Sequence, residues 1–428
     1  MDTGQQETSR GQPGRPNPGF AEFVTITALM MGVTAFAVDG ILPAFPILGR
    51  DFDVADPNRL QLVVYVYMLG FGFAQLIYGP ASDVFGRRRA YLAGLGIFLL
   101  GCVLSLFATD LNTLLAARFV QGIGAASGRV LSVAIVRDRF AGREMARVMS
   151  INMGIFITVP IFAPAIGSVI LLASGRQGLF VAMLLAGLAL GFWFLRRMPE
   201  TLAPEHKMPF SAARILRAMG TVATNRITVG YATAVGLMFG CVMAMVGSSQ
   251  QIFTETFGLG HLFPLAFALV ASAQGVAAIV NSALVGRFGM RRISHLSVVV
   301  LTTLGLLQLI FAWSFDGRPP LLLFGLILAC SQFLLGLAFP NFNALAMEPL
   351  GRVAGTGSSL VGVYTTVMGS LCGLAIGAAF DGTVLPITAG YLALTIAALA
   401  VILVTERGRL FGAHHSAAPG GSPPTGGT

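Results

Sequence analysis

Hydrophobic positions dominate this chain in long runs, and the polar positions that interrupt them are short and clustered. Ten stretches contain no Asp, Glu, Lys or Arg and are long enough to cross a bilayer: 60–82, 90–109, 148–175, 177–195, 227–254, 256–286, 293–315, 319–347, 353–380 and 382–405. Two further apolar segments, 21–48 and 111–136, are long enough but carry internal charge. The pattern predicts an all-α membrane protein with twelve transmembrane helices.

Composition agrees. Hydrophobic residues make up 55% of the 428, charged residues only 11%, and mean hydropathy is +0.80. A soluble domain carries about 25% charged residues, so the solvent here is lipid. The net charge of +9 does not point to nucleic acid, because the 27 basic residues sit in clusters between apolar runs, as cytoplasmic loops do. With the N-terminus inside, one side collects 21 cations, among them Arg87 to Arg89, Arg137, Arg139, Arg196, Arg197, Arg291 and Arg292. The other side keeps Arg50, Arg59, Arg176 and Arg318, which predicts both termini in the cytoplasm and an inner-membrane location.

Domain organisation follows from the loops. Residues 1–20 and 407–428 are polar and rich in Gly and Pro, and read as disordered cytoplasmic tails; the first lacks the apolar core of a signal peptide. The longest internal connection, with six cations between Arg196 and Arg226, reads as a cytoplasmic linker (197–225) joining six-helix bundles at 21–196 and 226–406. An internal echo supports duplication: Phe85-Gly86 returns as Phe288-Gly289 at an offset of 203, and Ala165-Ile166-Gly167 as Ala375-Ile376-Gly377 at an offset of 210.

Candidate chemistry is sparse, which makes it conspicuous. Asp39 is the one acidic residue deep in a span, and a group of this kind can load and release a proton as its surroundings alternate. Arg118 lies about 10 Å into the fourth span, at a depth similar to Asp39, and is the expected partner; the plainer alternative is an ion pair that only fastens helices one and four. Arg129 follows by eleven residues, on nearly the same helix face as Gly122 and Ala125, and either lines the cavity or reaches toward the cytoplasm. Glu22, Asp138, Glu144 and Glu348 fall at span ends and read as solvated or pairing residues. Asp51, Asp53 and Asp56 read as a solubilising loop. The five histidines lack metal-ligand spacing and the four cysteines fall inside apolar runs, so no metal site and no disulfide framework is expected.

GPASDVFGRRR (79–89) resembles the signature between helices two and three of the major facilitator superfamily, with Gly79, Asp83, Gly86, Arg87 and Arg88 as the cytoplasmic gate motif and Val84 where a basic residue is usual. LLAARFVQGIGAA (114–126) resembles the span-four signature of drug:proton antiporters, whose arginine falls on Arg118. PIFAPAIGS (160–168) resembles the antiporter motif, with Pro160, Pro164 and Gly167 present and Ser168 in place of a second glycine. DGILPAFP (39–46), AIVRD (134–138) and Pro340-Asn341 are similar to the bicyclomycin/chloramphenicol-resistance (Bcr/CflA) efflux subfamily, in which an apolar residue is expected where Arg129 stands. The resemblance implies a proton-coupled antiporter that exports small drugs, powered by the proton gradient with no other cofactor. Its implied partners are protons, a small-molecule substrate and lipid, and its implied state a monomer. Export of an anionic metabolite, with Arg129 as counter-ion, is the alternative within transport. A polytopic membrane enzyme would need carboxylate clusters or a nucleophile–base pair.

Overall fold

Lipid offers the backbone no hydrogen-bonding partner, so apolar segments of this length close their bonds internally as helices. A computed structural model describes residues 18–207 and 211–411. Most of the two terminal tails lies outside these residues.

Eleven continuous helices are long and apolar enough to cross a membrane. One of them, Gly142–Arg197, has 56 residues and is broken at Gly175 (φ 65°, ψ −169°). At 1.5 Å per residue it would measure about 84 Å, nearly three times a bilayer core of ~30 Å. The break beside Arg176 divides it into two spans, which gives twelve. In the first half these are α1 (Phe20–Asp39), α2 (Leu62–Phe85), α3 (Arg87–Leu106), α4 (Leu111–Arg139), α5 (142–174) and α6 (176–197). In the second half they are α7 (Arg226–Gln251), α8 (Phe263–Phe288), α9 (Met290–Ser314), α10 (Leu321–Met347), α11 (Ala354–Ala378) and α12 (Leu385–Thr405). The first apolar segment is not one helix to residue 48. It stops at Asp39, turns through Leu42–Ala44 and resumes as a short helix, Phe45–Asp51, because Pro43 and Pro46 cannot donate the bonds that continuation needs. The connection between halves is also more ordered than a plain linker, holding an amphipathic helix at Ala212–Thr224.

Within the first half, α4 packs on α2 and α3, and α1 on α5; within the second, α11 and α12 pack on α7, and α10 on α8 and α9. These are two six-helix bundles. Glycines set the close approaches: a Cβ at Gly122 would lie 2.0 Å from the Tyr67 carbonyl oxygen, and one at Gly124 2.1 Å from the Phe98 nitrogen. Asp110 starts α4 with a capping box, its carboxylate accepting from the Asn112 and Thr113 amides. The Thr113 amide foremost holds the Asp110 carboxyl below the usual carboxylate range.

The halves meet along α2–α11 and α5–α8. Their hydrogen bonds gather at the end opposite the arginine clusters. There Gln61 donates to Gln251 (2.5 Å) and to the Gly377 carbonyl (3.0 Å), Asn58 donates to the Phe380 carbonyl (2.8 Å), and the Tyr65 hydroxyl donates to Gly373 (2.9 Å). Midway, Gln75 donates to Thr366 (3.2 Å).

Candidate transport site and gates

Asp39 occupies the last turn of α1 and is 4% exposed. Gly40 follows it, and a Cβ at Gly167 of α5 would come within 2.1 Å of the Gly40 oxygen. The small residue predicted in the antiporter motif therefore seats α5 on the turn that carries Asp39. Pro164 and Pro160 lie about one and two turns earlier, inside the continuous α5 helix.

Arg118 is fully buried, yet the expected ion pair with Asp39 is not formed. The guanidinium instead donates to the carbonyls of Ala37 (2.8 Å) and Val63 (3.1 Å) and to the Gln121 side chain (2.5 Å), and lies 4.3 Å from the centre of the Tyr67 ring. The reason is geometric. The α1 turn ends two residues after Ala37, so its last carbonyls have no helical partner and present themselves to a buried donor fork. Arg118 thus grips the backbone immediately before Asp39. Among the described residues the Asp39 carboxyl forms no hydrogen bond or ion pair.

Arg129 lies on the same face of α4, half-buried, and its guanidinium stacks on Phe156 of α5 at 5.2 Å. It has no carboxylate partner among the described residues.

At the arginine-rich end the gate motif folds into a charge cluster. Arg87 bonds Asp83 (2.5 Å), Ser82 (2.5 Å) and Asp138 of α4 (2.9 Å). Gly86 has φ +94°, a conformation that favours glycine, and a Cβ there would also come within 2.4 Å of Glu200. Gly79 faces Ser359 of α11, whose hydroxyl would lie 3.1 Å from an added Cβ. Glu200 was not singled out by the sequence reading: it accepts from the backbone amides of Arg87 (2.8 Å) and Arg88 (3.2 Å), capping the positive end of α3. The Arg88 side chain donates to the Leu195 carbonyl (2.9 Å). Val84, where a basic residue was expected, leaves this cluster intact because Arg87 supplies the cation and Asp83, Asp138 and Glu200 supply the acids.

The second half repeats the device. Arg291 pairs with Glu348 (3.3 Å) and Glu406 (3.4 Å). Glu348 stands 210 positions after Asp138 and Glu406 stands 206 after Glu200, which extends the internal echo of the sequence to the span ends. His295, to which sequence gave no role, is fully buried in this cluster. Its Nε2 lies 3.3 Å from the Tyr231 hydroxyl, which donates to Glu406, and its Nδ1 accepts from the Phe411 amide (3.2 Å). Elsewhere, Glu22 pairs with Arg197 (2.7 Å), and Asp51 with Arg176 (2.8 Å), so the acidic loop is structural and not merely solubilising.

Two six-helix bundles around a buried carboxyl, flanked at one end by arginine–carboxylate clusters and tied at the other by amide hydrogen bonds, define a multi-pass membrane protein of transporter architecture. The sequence profile of the Major Facilitator Superfamily matches residues 27–377, and the chain belongs to this family. It is similar to the MFS-type transporter YdgK of Bacillus subtilis, 31% identical over 360 residues that cover 82% of this chain and 88% of the relative. A bicyclomycin resistance protein homolog of Haemophilus influenzae is 27% identical, covering 82% and 87% of the two chains. The multidrug resistance protein MdtL of Salmonella typhi is 28% identical, covering 78% and 82%. Among solved structures, the xylose transporter XylE from E. coli, in a partially occluded inward-open conformation, shares the fold with a TM-score of 0.70 at 12% identity, covering 90% of this chain and 97% of that one. The human organic anion transporter MFSD10 does so with a TM-score of 0.63 at 19% identity, covering 90% and 100%.

Proposed function

We propose that the chain is a proton-coupled antiporter that exports small drugs or xenobiotics across the bacterial inner membrane, working as a monomer with both termini in the cytoplasm. The observation that carries this reading is Asp39, a buried carboxyl without a counter-ion, held on a turn that both Arg118 and Gly167 fasten. Relatives that bear the names of bicyclomycin and multidrug resistance proteins supply the substrate class.

An ionised carboxylate without a partner is costly in a dry interior. Its charged form therefore favours whichever state admits water or a cation, and its protonated form favours closure. Binding a proton on the periplasmic side and releasing it to the cytoplasm turns this preference into a cycle, and substrate moves outward in the opposite phase. The Gln61–Gln251 network fastens the two halves at the end opposite the arginine clusters, where the proton would enter in this scheme. Arg118, fixed on Ala37 and Val63, holds the Asp39 turn in register between α1, α2 and α4 as the surroundings change.

The test is Asp39→Asn in inverted membrane vesicles. Asn keeps the size and loses the titration. Proton-driven drug transport is expected to vanish while the protein remains folded and in the membrane. Unchanged proton-driven transport by the variant would overturn the reading.

A further inference from the structure

Arg129 carries a charge that the coupling scheme above does not use. Its neighbours show where it points. Gly128 seats α4 on α1, with an added Cβ 2.3 Å from the Met30 oxygen, and the Thr34 hydroxyl donates to the Ala125 carbonyl one turn away. On the other side of α1, α5 packs Ile155 and Val159 against Gly32, and Asn152 bonds Thr27. The Arg129–Phe156 stack therefore bridges across α1 from α4 to α5. The outer side of this assembly is covered by α6, whose Trp193 and Arg197 hold Glu22. The neighbouring Ile157 and Ile161 of α5 face Gly275 of α8, in the other half. The stack lies on the side of α1 turned toward the space between the halves. By helical rise it sits about 14 Å from Asp39 along α1.

The duplicated position sharpens the point. At the offset of 210 that relates Asp138 to Glu348, Arg129 corresponds to Phe339. Phe339 is half-buried, its ring centre 6.0 Å from that of Phe239 on α7. One wall thus offers a guanidinium backed by an aromatic ring, and its pseudo-symmetric counterpart offers two aromatic rings. A fixed, always-ionised cation without a protein carboxylate attracts an anionic group and repels a cation, most strongly where water is scarce. Aromatic faces accept a flat apolar body.

We propose that Arg129 and Phe156 form an anion-selective subsite, which gives this transporter a preference for amphipathic organic anions over lipophilic cations. The proposal rests on the transport reading above, but its test uses binding and needs no proton gradient. Three ligands with one ring system are titrated calorimetrically into the purified full chain: 1-naphthoate, 1-naphthalenemethanol and a naphthylmethyl-trimethylammonium salt. The wild type is expected to bind the anion at least about tenfold more tightly than the cation. Arg129→Met should lower anion affinity about tenfold, raise cation affinity and leave the alcohol within about twofold. Arg129→Lys should keep the wild-type order. Arg129→Gln, which preserves polarity and most of the length, replaces the Met variant if gel filtration shows that one to be aggregated. Equal affinities in the wild type, or the same ranking in wild type and neutral variants, would overturn the subsite. Loss of proton coupling in the vesicle assay, with this ranking intact, would fault the antiport reading alone.

Discussion

Gly167 of α5 rests on the carbonyl oxygen of Gly40, the residue that follows Asp39, so closely that even one methyl group would lie 2.1 Å from that oxygen. The contact joins the antiporter motif to the buried carboxyl through backbone alone. Forcing a side chain into such a contact costs about 1–3 kcal/mol. Gly167→Val is therefore expected to push α5 off the Asp39 turn and slow transport by roughly tenfold or more. Initial-rate assays in vesicles, with membrane level checked by immunoblot, measure this. Wild-type rates would mean that α5 shifts freely and does not set the turn.

Arg118→Lys keeps the charge and removes the fork. A single ammonium cannot reach Ala37, Val63 and Gln121 while covering the Tyr67 ring. Each lost bond to a charged donor is worth about 1.5–3 kcal/mol. The expected result is a lower unfolding temperature together with a severe drop in proton-coupled transport. Full activity in the Lys variant would reduce Arg118 to a plain positive charge.

Glu200 tests the cap that links the end of α6 to α3. Glu200→Ala should leave the Arg87 and Arg88 amides without their acceptor. Helix caps contribute about 0.5–2 kcal/mol, so thermal unfolding should begin earlier, with Glu200→Gln intermediate. Identical melting curves for all three proteins would show that water replaces the carboxylate without cost.

At the opposite end, Gln61→Ala removes the bonds to Gln251 and Gly377 that tie α2 to the second half. Neutral hydrogen bonds contribute about 1 kcal/mol each, enough to move a two-state balance about fivefold or more. Ser248→Cys, at a buried position of α7, reports the change in a background with the four native cysteines replaced. Membrane-impermeant maleimide should label it faster in the Gln61→Ala protein. Equal labelling would place the closing force elsewhere in the interface.

Sequence by itself determined the ten charge-free spans, because charge is excluded from lipid wherever packing does not bury it, and that rule located even the break at Gly175 beside Arg176. Resemblance pointed to the 79–89 turn, and the positive φ of Gly86 and the Arg87–Asp83 pair are what that turn's local sequence requires. Sequence singled out Asp39, Arg118 and Arg129 for the same reason that it found the spans: nothing else charged lies so deep. Tertiary structure alone decided what these groups touch. Depth along two helices matched Asp39 with Arg118, but rotation about the helix axes sends the guanidinium to the carbonyls of Ala37 and Val63 instead. Glu200, Glu406 and His295 join the gates only when α6, α7, α9 and α12 converge, as residues remote in the chain. Arg129 meets Phe156 only because α4 and α5 both pack on α1, α4 at Gly128 and α5 at Gly32. Partition into lipid is a property of each segment and is written locally. Pairing depends on helix rotation and convergence, which are fixed only when the two bundles assemble.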